Sequence, residues 1–396
     1  MNPLPLTAYT ATSCLGAGID AHALALREGR SGLQPCRFET VDLSTWVGEV
    51  AGVDDVALPD AWREFDCRNN RLTWLGLQQD GFAERVREAV ARHGADRVGV
   101  FMGTSTSGIL QTELAYRRRD PATGALPDDF NYAGTHNTYS VAAFVRACFG
   151  IEGMAMALSS ACSSSAKAFA AAARQIRAGA IDAAVVGGVD SLCLTTLYGF
   201  ASLQLTSAQP CRPGDAQRDG ISIGEAAAFA LLERGPAQAG DIVLRGAGES
   251  SDAHHMSAPH PQGLGALQAM QAALRSAGVS ADDIGYINLH GTATPANDAA
   301  EGLAVAELFA QRVPASSTKG ATGHTLGAAG ALEAVVCALA LRDGWLPGSP
   351  GTLTPDPAIQ VDYRLGGSAA PGLQLALSNS FGFGGSNCSL VFGRSA

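Results

Sequence analysis

Lysine is almost absent from this chain: of its 27 Lys and Arg residues, only Lys167 and Lys319 are lysines. A long apolar run is also missing, since stretches such as AAAFALL (226–232) are far shorter than the ~20 residues that span a bilayer. The N-terminal segment has neither the basic region nor the apolar region of a signal peptide. We therefore expect no membrane span, no secretion signal and a cytoplasmic location.

Cysteine motifs and excess positive charge are missing as well. The nine cysteines include no CxxC pair and no regular spacing, which argues against a disulfide framework and against a zinc ribbon. The net charge of −10 argues against nucleic acid as the main partner. What remains is a globular chain of 396 residues with 46% hydrophobic residues, long enough for one large or two ordinary domains.

Apolar strand-like runs alternate with helix-like runs along the chain. DRVGVFMGT (96–104) and IDAAVVGGVDSL (181–192) are typical of buried strands. Between them, an Ala-rich helix is predicted from Ser163 to Ala178, with Gly179 closing it. Continuous apolar strands between helices indicate an α/β protein whose helices cover the sheet.

Two segments of the first half have counterparts in the second. VGVFMGTST (98–106) matches GYINLHGTAT (285–294), and the strand, turn and Ala-rich helix around Cys162 match the segment 313–344. We interpret these matches as duplication of one α/β unit, with halves 1–240 and 241–396 joined through LLERGPAQAGD (231–241). Chance similarity between Gly- and Ala-rich segments is the alternative.

Cys162 and His290 are the first candidates for chemistry. Cys162 falls between a predicted strand and the start of the Ala-rich helix, where the positive helix N-terminus is expected to lower the thiol pKa. His290 follows an apolar strand and precedes a loop rich in hydroxyl groups. The alternatives are a packed core cysteine and a histidine bonded only to backbone carbonyls.

Two further stretches complete the candidate site. SSTKGATGHTLGAAGALEA (316–334) contains Lys319, His324 and Glu333, each of which taken alone could be a surface charge. SNSFGFGGSN (378–387) predicts a loop with free backbone N–H groups, suited to an oxyanion hole, and two aromatic rings to cover an apolar ligand. One Cys, two His and a Lys–Glu pair together indicate nucleophilic acyl chemistry.

Two more segments belong with these stretches: CRPGDAQRDGISIGEAAA (211–228) and SSDAHHMSAPHP (250–261). In these segments and in their order, the chain resembles the β-ketoacyl-acyl-carrier-protein synthases over essentially its whole length. The resemblance implies an α/β thiolase-like fold in which two duplicated halves form a five-layered αβαβα core. It also implies a homodimer, or a heterodimer with a chain-length-factor-like subunit.

The resemblance further implies decarboxylative condensation of malonyl carrier protein with an acyl chain held on Cys162, with an acyl carrier protein as partner. No cofactor is expected, because phosphopantetheine arrives on the carrier protein. His290 and His324 would promote decarboxylation, supported by Lys319 and Glu333. The backbone N–H groups of Cys162 and Phe383 would form the oxyanion hole, with Phe383 and Phe381 as the gate.

The resemblance also implies three binding sites. Pantetheine and the acyl chain would contact Thr292, Thr294 and Thr106, and the carrier protein would dock on Arg63, Arg68 and Arg71 or on Arg117–Arg119. A structural monovalent cation would bind to Asn288, Glu333, Ser378 and Asn379.

Three features depart from housekeeping members of the family. Lys167 stands where those enzymes often carry a histidine, and the segments 135–144 and 197–207 also differ. In these features the chain resembles ketosynthases of aryl-polyene and type II polyketide pathways. A thiolase, with Cys388 as its second cysteine, and a non-catalytic chain-length-factor-like subunit are the alternative functions.

Overall fold

The structure is a computed structural model that describes residues 2–395. Its helices are α1 Ile19–Arg27, α2 Arg68–Leu77, α3 Phe82–His93, α4 Ile109–Arg117, α5 Ser140–Phe149, α6 Ser164–Ala178, α7 Leu194–Ser202, α8 Leu264–Ala277, α9 Pro295–Phe309, α10 Lys319–Thr322 and α11 Ala329–Asp343. Its strands are β1 Leu4–Ser13, β2 Gly16–Ala17, β3 Gln34–Pro35, β4 Trp46–Gly48, β5 Val98–Gly103, β6 Ala155–Leu158, β7 Ala183–Asp190, β8 Ile223–Gly224, β9 Ala226–Glu233, β10 Ile242–Ser251, β11 Tyr286–Asn288, β12 Pro314–Ser316, β13 Trp345–Leu346, β14 Asp362–Tyr363, β15 Ser368–Ala369, β16 Leu375–Gly382 and β17 Ser386–Arg394.

Two sheets with the same strand order form the centre of the fold. The first half gives β6-β5-β7-β9-β1 and the second gives β12-β11-β16-β17-β10, with β14 added at the outer edge. The directions also correspond, because β5 pairs in parallel with β6 and β7 just as β11 pairs in parallel with β12 and β16. This correspondence confirms the internal duplication predicted from the sequence.

Helices cover both faces of both sheets. α6 and α11 pack on each other between the sheets, so the central core joins the two halves. α2, α3 and α5 cover the outer face of the first sheet, and α8 and α9 cover the outer face of the second. The layers are therefore helix, sheet, helix, sheet and helix, as the resemblance implies.

Small residues allow α6 to lie in the central layer. The faces of α6 that pack in the core need a narrow cross-section, and α6 buries alanines there at 166, 168 and 170–173. Its charged residues Lys167, Arg174 and Arg177 lie on the part of the helix that is not buried. Its end agrees with the sequence prediction, because Gly179 adopts the left-handed conformation at φ 80° that closes the helix. Cys162 and the start of α6 are thereby placed at one edge of the sheets.

The boundary between the halves falls in the linker after β9. β9 ends at Glu233 and β10 begins at Ile242. The boundary predicted from the sequence, between residues 240 and 241, falls within this linker, and its position there stays a prediction. β1 pairs with β10 at Leu4 and Pro5, which connects the two sheets edge to edge.

SNSFGFGGSN differs from its predicted conformation. Residues 378–382 belong to β16, which pairs with both β11 and β17, and only Phe383–Gly385 form the turn. β17 pairs with all of residues 378–382 and β11 with Ser378, and this pairing with distant segments is not visible in local strand propensity. Among residues 2–395, no helix combines the length and hydrophobicity needed to cross a membrane.

Candidate active site

Cys162 lies in a tight turn between β6 and α6. Ala161, the residue before it, has a positive φ of 52°, a strained conformation for a residue with a side chain. Serine hydroxyls hold this turn: Ser163 Oγ donates to the Ser160 carbonyl at 2.9 Å, and Ser164 Oγ donates to the Ala161 carbonyl at 2.5 Å. The turn presents the thiol at the edge of the central layer, with Cys162 only 5% exposed.

His290 is positioned by a buried carboxylate that the sequence analysis did not identify. Glu301, on α9, accepts hydrogen bonds from the backbone N–H groups of His290 and Gly291, both at 2.8 Å. Asn379 also donates to this carboxylate, at 3.1 Å. Burial raises the pKa of Glu301 to about 7, although these hydrogen bonds lower the pKa in the opposite direction. The sequence signal for this role is weak: Glu301 lies eleven positions after His290, on a helix that also contains Asp298 and Glu307.

His324 is held by the first half of the chain although it belongs to the second. Its backbone N–H donates to the Ser222 carbonyl at 2.7 Å, and its carbonyl accepts from the Gly224 N–H at 3.0 Å. These two bonds give the segment 211–228 a clear function, because it fixes the histidine from the opposite half. Backbone hydrogen bonds between segments far apart in the chain cannot be predicted from the local sequence of either segment.

The structure brings Cys162, His290 and His324 together. The Cys162 sulfur and one ring nitrogen from each histidine lie within 4.8 Å of one another. His324 Nε2 is 3.0 Å from Cys162 Sγ, and the two imidazole rings are 5.3 Å apart between centroids. Neither Nδ1 has a hydrogen-bond partner among the described residues, so no protein acceptor at Nδ1 fixes the tautomer of either ring.

Lys319 and Glu333 form a buried ion pair beside these residues. Lys319 Nζ contacts Glu333 Oε1, and the two residues are 1% and 2% exposed. Burial raises the pKa of Glu333, and the charge of Lys319 opposes this rise. Burial also lowers the pKa of both histidines well below the usual value, and the charge of Lys319 lowers it further. Both imidazoles are therefore neutral at physiological pH.

The predicted lowering of the Cys162 pKa is wrong in direction. Burial raises the pKa of this thiol to about 12, and the charge of Lys319 and a hydrogen bond from the Phe383 N–H only partly oppose that rise. The positive N-terminus of α6 does not decide this pKa, because α6 begins at Ser164 and the sulfur lies in a desolvated pocket. The resting group is therefore a thiol whose proton His324 can accept.

Alkylation of Cys162 is a direct test of this pKa. We expect the rate of carbamidomethylation by iodoacetamide to rise about tenfold per pH unit from pH 6 to 8, because the thiolate fraction grows in that proportion below the pKa. Mass spectrometry of the peptide containing Cys162 measures this rate. A rate that is constant over this range would mean that the thiol is already ionised.

A pocket of about 220 Å³ opens onto the three residues. Phe383 stands at this pocket and packs on Phe200 at 5.6 Å between ring centroids, while Phe381 packs on His290 at 5.8 Å. Thr292 and Thr294 also line the pocket, with their hydroxyl oxygens 2.9 Å apart. Thr106 does not line it, since its buried hydroxyl donates to Asp190 at 2.9 Å.

Among the residues expected to dock a carrier protein, Arg68 is wrongly assigned because it is buried. It forms a two-pronged ion pair with Glu225, at 2.7 and 3.0 Å, and contacts Asp54 at 2.7 Å. Arg71 pairs with Asp66 at 2.6 Å, whereas Arg63 is exposed. The sequence showed the charge of Arg68 but not that the start of α2 faces Glu225.

Arg68→Ala is expected to reduce the free energy of unfolding by about 3–5 kcal/mol, because it leaves the buried carboxylate of Glu225 without its partner. The matched variant Arg71→Ala loses a half-exposed pair and should cost less than about 1 kcal/mol. Urea unfolding measures both values. Equal costs for the two variants would contradict the internal role of Arg68.

Lys167 and Cys388, the candidate second cysteine of a thiolase, both lie outside the pocket at Cys162. Lys167 Nζ lies 3.9 Å from Glu249 of β10 and thus faces the second half. Cys388 is fully buried in β17, opposite Ser380 of β16, and does not line the pocket at Cys162. The pocket therefore contains one cysteine, which does not fit the two-cysteine arrangement of a thiolase.

A buried cysteine with two neutral histidines, in a pocket of a duplicated five-layered fold, defines a thiol-dependent condensing enzyme. Comparisons with known proteins agree. The family model described as "Beta-ketoacyl synthase, N-terminal domain" matches residues 1–237, and "Beta-ketoacyl synthase, C-terminal domain" matches residues 242–352. The chain belongs to the β-ketoacyl synthase family. It is an acyltransferase with the thiolase-like fold.

Several relatives match over nearly their whole length. Nodulation protein E of Rhizobium meliloti (strain 1021) is 33% identical, with 95% of this chain and 96% of the relative covered. The 3-oxoacyl-[acyl-carrier-protein] synthase 2 of Vibrio cholerae is also 33% identical, with 96% of each chain covered. Among solved structures, a chain of the complex between the ketosynthase ApeO and its chain length factor ApeC, from Xenorhabdus doucetiae, matches with a TM-score of 0.90 and 38% identity, covering 99% of this chain and 98% of the other.

Proposed function

We propose that this chain elongates acyl groups bound to an acyl carrier protein by decarboxylative condensation, with Cys162 as the nucleophile. The observation that carries the proposal is the meeting of one thiol and two neutral imidazoles within 4.8 Å in a largely apolar pocket. A neutral imidazole can accept a proton from a thiol and can donate a hydrogen bond to an enolate, and the reaction needs both.

In the first half-reaction, Cys162 takes the acyl chain from the carrier protein. As Sγ attacks the thioester carbonyl, its proton passes to His324 Nε2 over the 3.0 Å contact. The thiolate of the pantetheine arm leaves and takes that proton, which restores neutral His324. The backbone N–H of Phe383, which is directed at Sγ, is suited with the N–H of Cys162 to stabilise the oxyanion.

In the second half-reaction, malonyl carrier protein loses carbon dioxide. The electrons of the breaking C–C bond form an enolate, whose oxygen accepts hydrogen bonds from His290 and His324. The enolate carbon then attacks the carbonyl of the thioester on Cys162, and the C–S bond to Cys162 breaks. The released Cys162 thiolate takes up one proton from solvent, which replaces the proton that left with the pantetheine thiol in the first half-reaction. Lys319 supports both histidines, because its charge favours their neutral form.

Thr292 and Thr294 are proposed to bind the pantetheine arm, since both line the same pocket as His290. We propose no organic cofactor other than this arm. Phe383 is proposed as the gate, because it lies on a turn whose backbone contacts Cys162 and, within residues 2–395, its ring packs on one other aromatic ring, that of Phe200. Thr106 remains a prediction without a place in this pocket.

We also propose a structural monovalent cation near Glu333. Asn288 Oδ1, Ser378 Oγ and Glu333 Oε2 are buried oxygens without a hydrogen-bond partner in the described structure, which suits a hard cation. Asn379 fits less well, because its Oδ1 accepts a hydrogen bond from Ser389 at 2.7 Å. The cation would hold Glu333 in place next to Lys319.

The carrier protein is proposed to dock near Arg63. Arg63 and Arg118 line the same shallow groove, so the two basic stretches considered from the sequence lie close together. Arg118 pairs with Asp129 and Arg117 with Glu39, whereas Arg63 and Arg119 form no ion pair within residues 2–395. Acidic carrier proteins suit such free guanidinium groups.

Arg63→Glu is expected to raise the KM for the carrier-bound substrate about three- to tenfold and to leave kcat nearly unchanged, because a charge at the rim of an interface acts mainly on association. The control is Arg275→Glu, which reverses an exposed arginine of α8 that also lacks an ion pair. Steady-state kinetics with varied carrier protein gives both constants. An unchanged KM would remove Arg63 from the docking surface.

For the pathway, we propose elongation of aryl-polyene or polyketide-type chains, with a chain-length-factor-like subunit in the dimer. The likeness to a chain of the complex between the ketosynthase ApeO and its chain length factor ApeC supports this choice. The likeness to a 3-oxoacyl-[acyl-carrier-protein] synthase 2 supports fatty-acid elongation as the second candidate. A cytoplasmic location is proposed with either, because the carrier-bound substrates would be met there.

Product analysis tests the function and separates it from that of a non-catalytic subunit. The purified chain is incubated with acyl and malonyl carrier proteins, alone and with a candidate partner subunit, and products are identified by mass spectrometry. We expect carrier-bound β-ketoacyl chains two carbons longer. Product formation that persists when this chain is inactivated at Cys162, with the partner present, would assign it the non-catalytic role.

A further inference from the structure

A groove that the proposed reaction does not use lies at the opposite end of α6 from Cys162. The 15 residues of α6 extend about 22 Å from the cysteine turn to Arg177. The groove has a volume of about 1030 Å³ and lies where the two halves join. Its lining comes from the first residues of β1 and β10, the start of β16, the end of β17 and the linker after β9.

Arginine dominates the charge of this groove. Arg177, Arg245 and Arg394 line it, and none of them forms an ion pair with another residue in the range 2–395. The Nε atoms of Arg177 and Arg245 are buried and have no hydrogen-bond partner there. Burial also lowers the pKa of Arg177, and no carboxylate opposes this effect. In a chain of net charge −10, three such guanidinium groups in one groove are unusual.

The acidic groups nearby do not compensate these charges. Arg234, also in the lining, shares the single carboxylate of Asp182 with Arg97, at 3.3 and 2.8 Å respectively. Asp283 lies within electrostatic range of Arg245 but makes no ion pair with it. Asp241 accepts a hydrogen bond from the Gln238 N–H at 2.7 Å and does not line the groove.

Gly393 helps to fix Arg245 in the groove. A Cβ atom at Gly393 would lie 2.8 Å from Cδ of Arg245, so glycine at this position leaves room for the Arg245 side chain against β17. The aliphatic part of Arg245 is thereby packed on the sheet, which reduces the freedom of its guanidinium group. A pre-positioned guanidinium loses less entropy on binding an anion.

We propose that this groove, the arginine groove, binds a small molecule that carries a diphosphate group. Guanidinium groups bind phosphate oxygens through paired N–H donors, and the buried Nε donors supply part of such pairs. A diphosphate brings several negative charges, which suits three unpaired cations better than a single carboxylate does. The volume leaves room for a group beyond the diphosphate, such as a nucleoside.

Isothermal titration calorimetry of the full chain with inorganic pyrophosphate and with ADP tests the proposal. We expect both to bind with one site per chain. Tighter binding of ADP would show that the groove also contacts the nucleoside. The double variant Arg177→Gln/Arg245→Gln should weaken binding at least about tenfold, because each lost charged hydrogen bond has an effect of that order.

Two further variants make the result specific. Arg37→Gln/Arg275→Gln removes two exposed, unpaired arginines elsewhere and should leave binding unchanged. Arg177→Lys/Arg245→Lys keeps the charge but loses the paired donors, and we expect intermediate affinity. No binding of either probe by the unmodified chain, or equal binding by the Gln variant and the unmodified chain, would overturn the proposal. Circular dichroism verifies that each variant is folded.

Discussion

Cys162→Ala is expected to abolish condensation, with a loss of at least about a thousandfold, and to leave decarboxylation of malonyl carrier protein measurable. The loss follows because the acyl chain has no other thiol in the pocket to which it can bind. Decarboxylation should persist because His290 and His324 keep their backbone supports in this variant. Release of labelled carbon dioxide and formation of β-ketoacyl product measure the two activities separately.

Cys388→Ala is the matched control for this variant. Cys388 is equally buried but lies within β17, away from the pocket, so condensation should be retained. Loss of condensation in Cys388→Ala with retention in Cys162→Ala would favour a different nucleophile. Loss of both activities in Cys162→Ala, with an unchanged fold, would mean that the histidines do not act without the thiol.

Lys319→Met is expected to affect both stability and activity. The variant leaves the carboxyl group of Glu333 buried without its cation, which should reduce the free energy of unfolding by about 3–5 kcal/mol. Condensation should fall by about a hundredfold or more, because the charge of Lys319 lowers the pKa of Cys162 and of both histidines. Without that charge the histidine pKa values rise, so the acid limb of the pH–rate profile should move to higher pH.

Two companion variants separate these effects. Lys319→Met/Glu333→Leu removes both charges and should recover stability without recovering condensation. Lys319→Arg should remain folded but lose most condensation, because the forked guanidinium does not reproduce the compact ammonium in this buried position. Near-normal activity of either variant, or an acid limb that does not move, would reduce Lys319 to a packing role.

The residue types and their order made much of the fold predictable. Short segments such as VGVFMGTST and GYINLHGTAT occupy equivalent central strands, β5 and β11, because the same local pattern folds to the same unit in each half. The three groups at the centre of the site, Cys162, His290 and His324, were also predicted. Each of these residues follows a strand or a turn whose end can be predicted from the neighbouring residues in the sequence.

The features that were missed depend on distant partners. Arg68 looked like a surface charge until Glu225, 157 residues away, proved to be its partner. The Cys162 pKa depends on burial by both halves, which no local pattern encodes. The roles of Ser222 and Gly224 at His324 arise from backbone bonds across the junction, where side-chain identity carries little information.

The most direct test of the central claim is mass spectrometry of the protein after incubation with an acyl carrier protein that carries an acyl chain, without malonyl substrate. The account predicts one acyl group per chain, held as a thioester on Cys162 and discharged as β-ketoacyl product when malonyl carrier protein is added. An acyl group on another residue, or an adduct at Cys162 that malonyl carrier protein does not discharge, would contradict it.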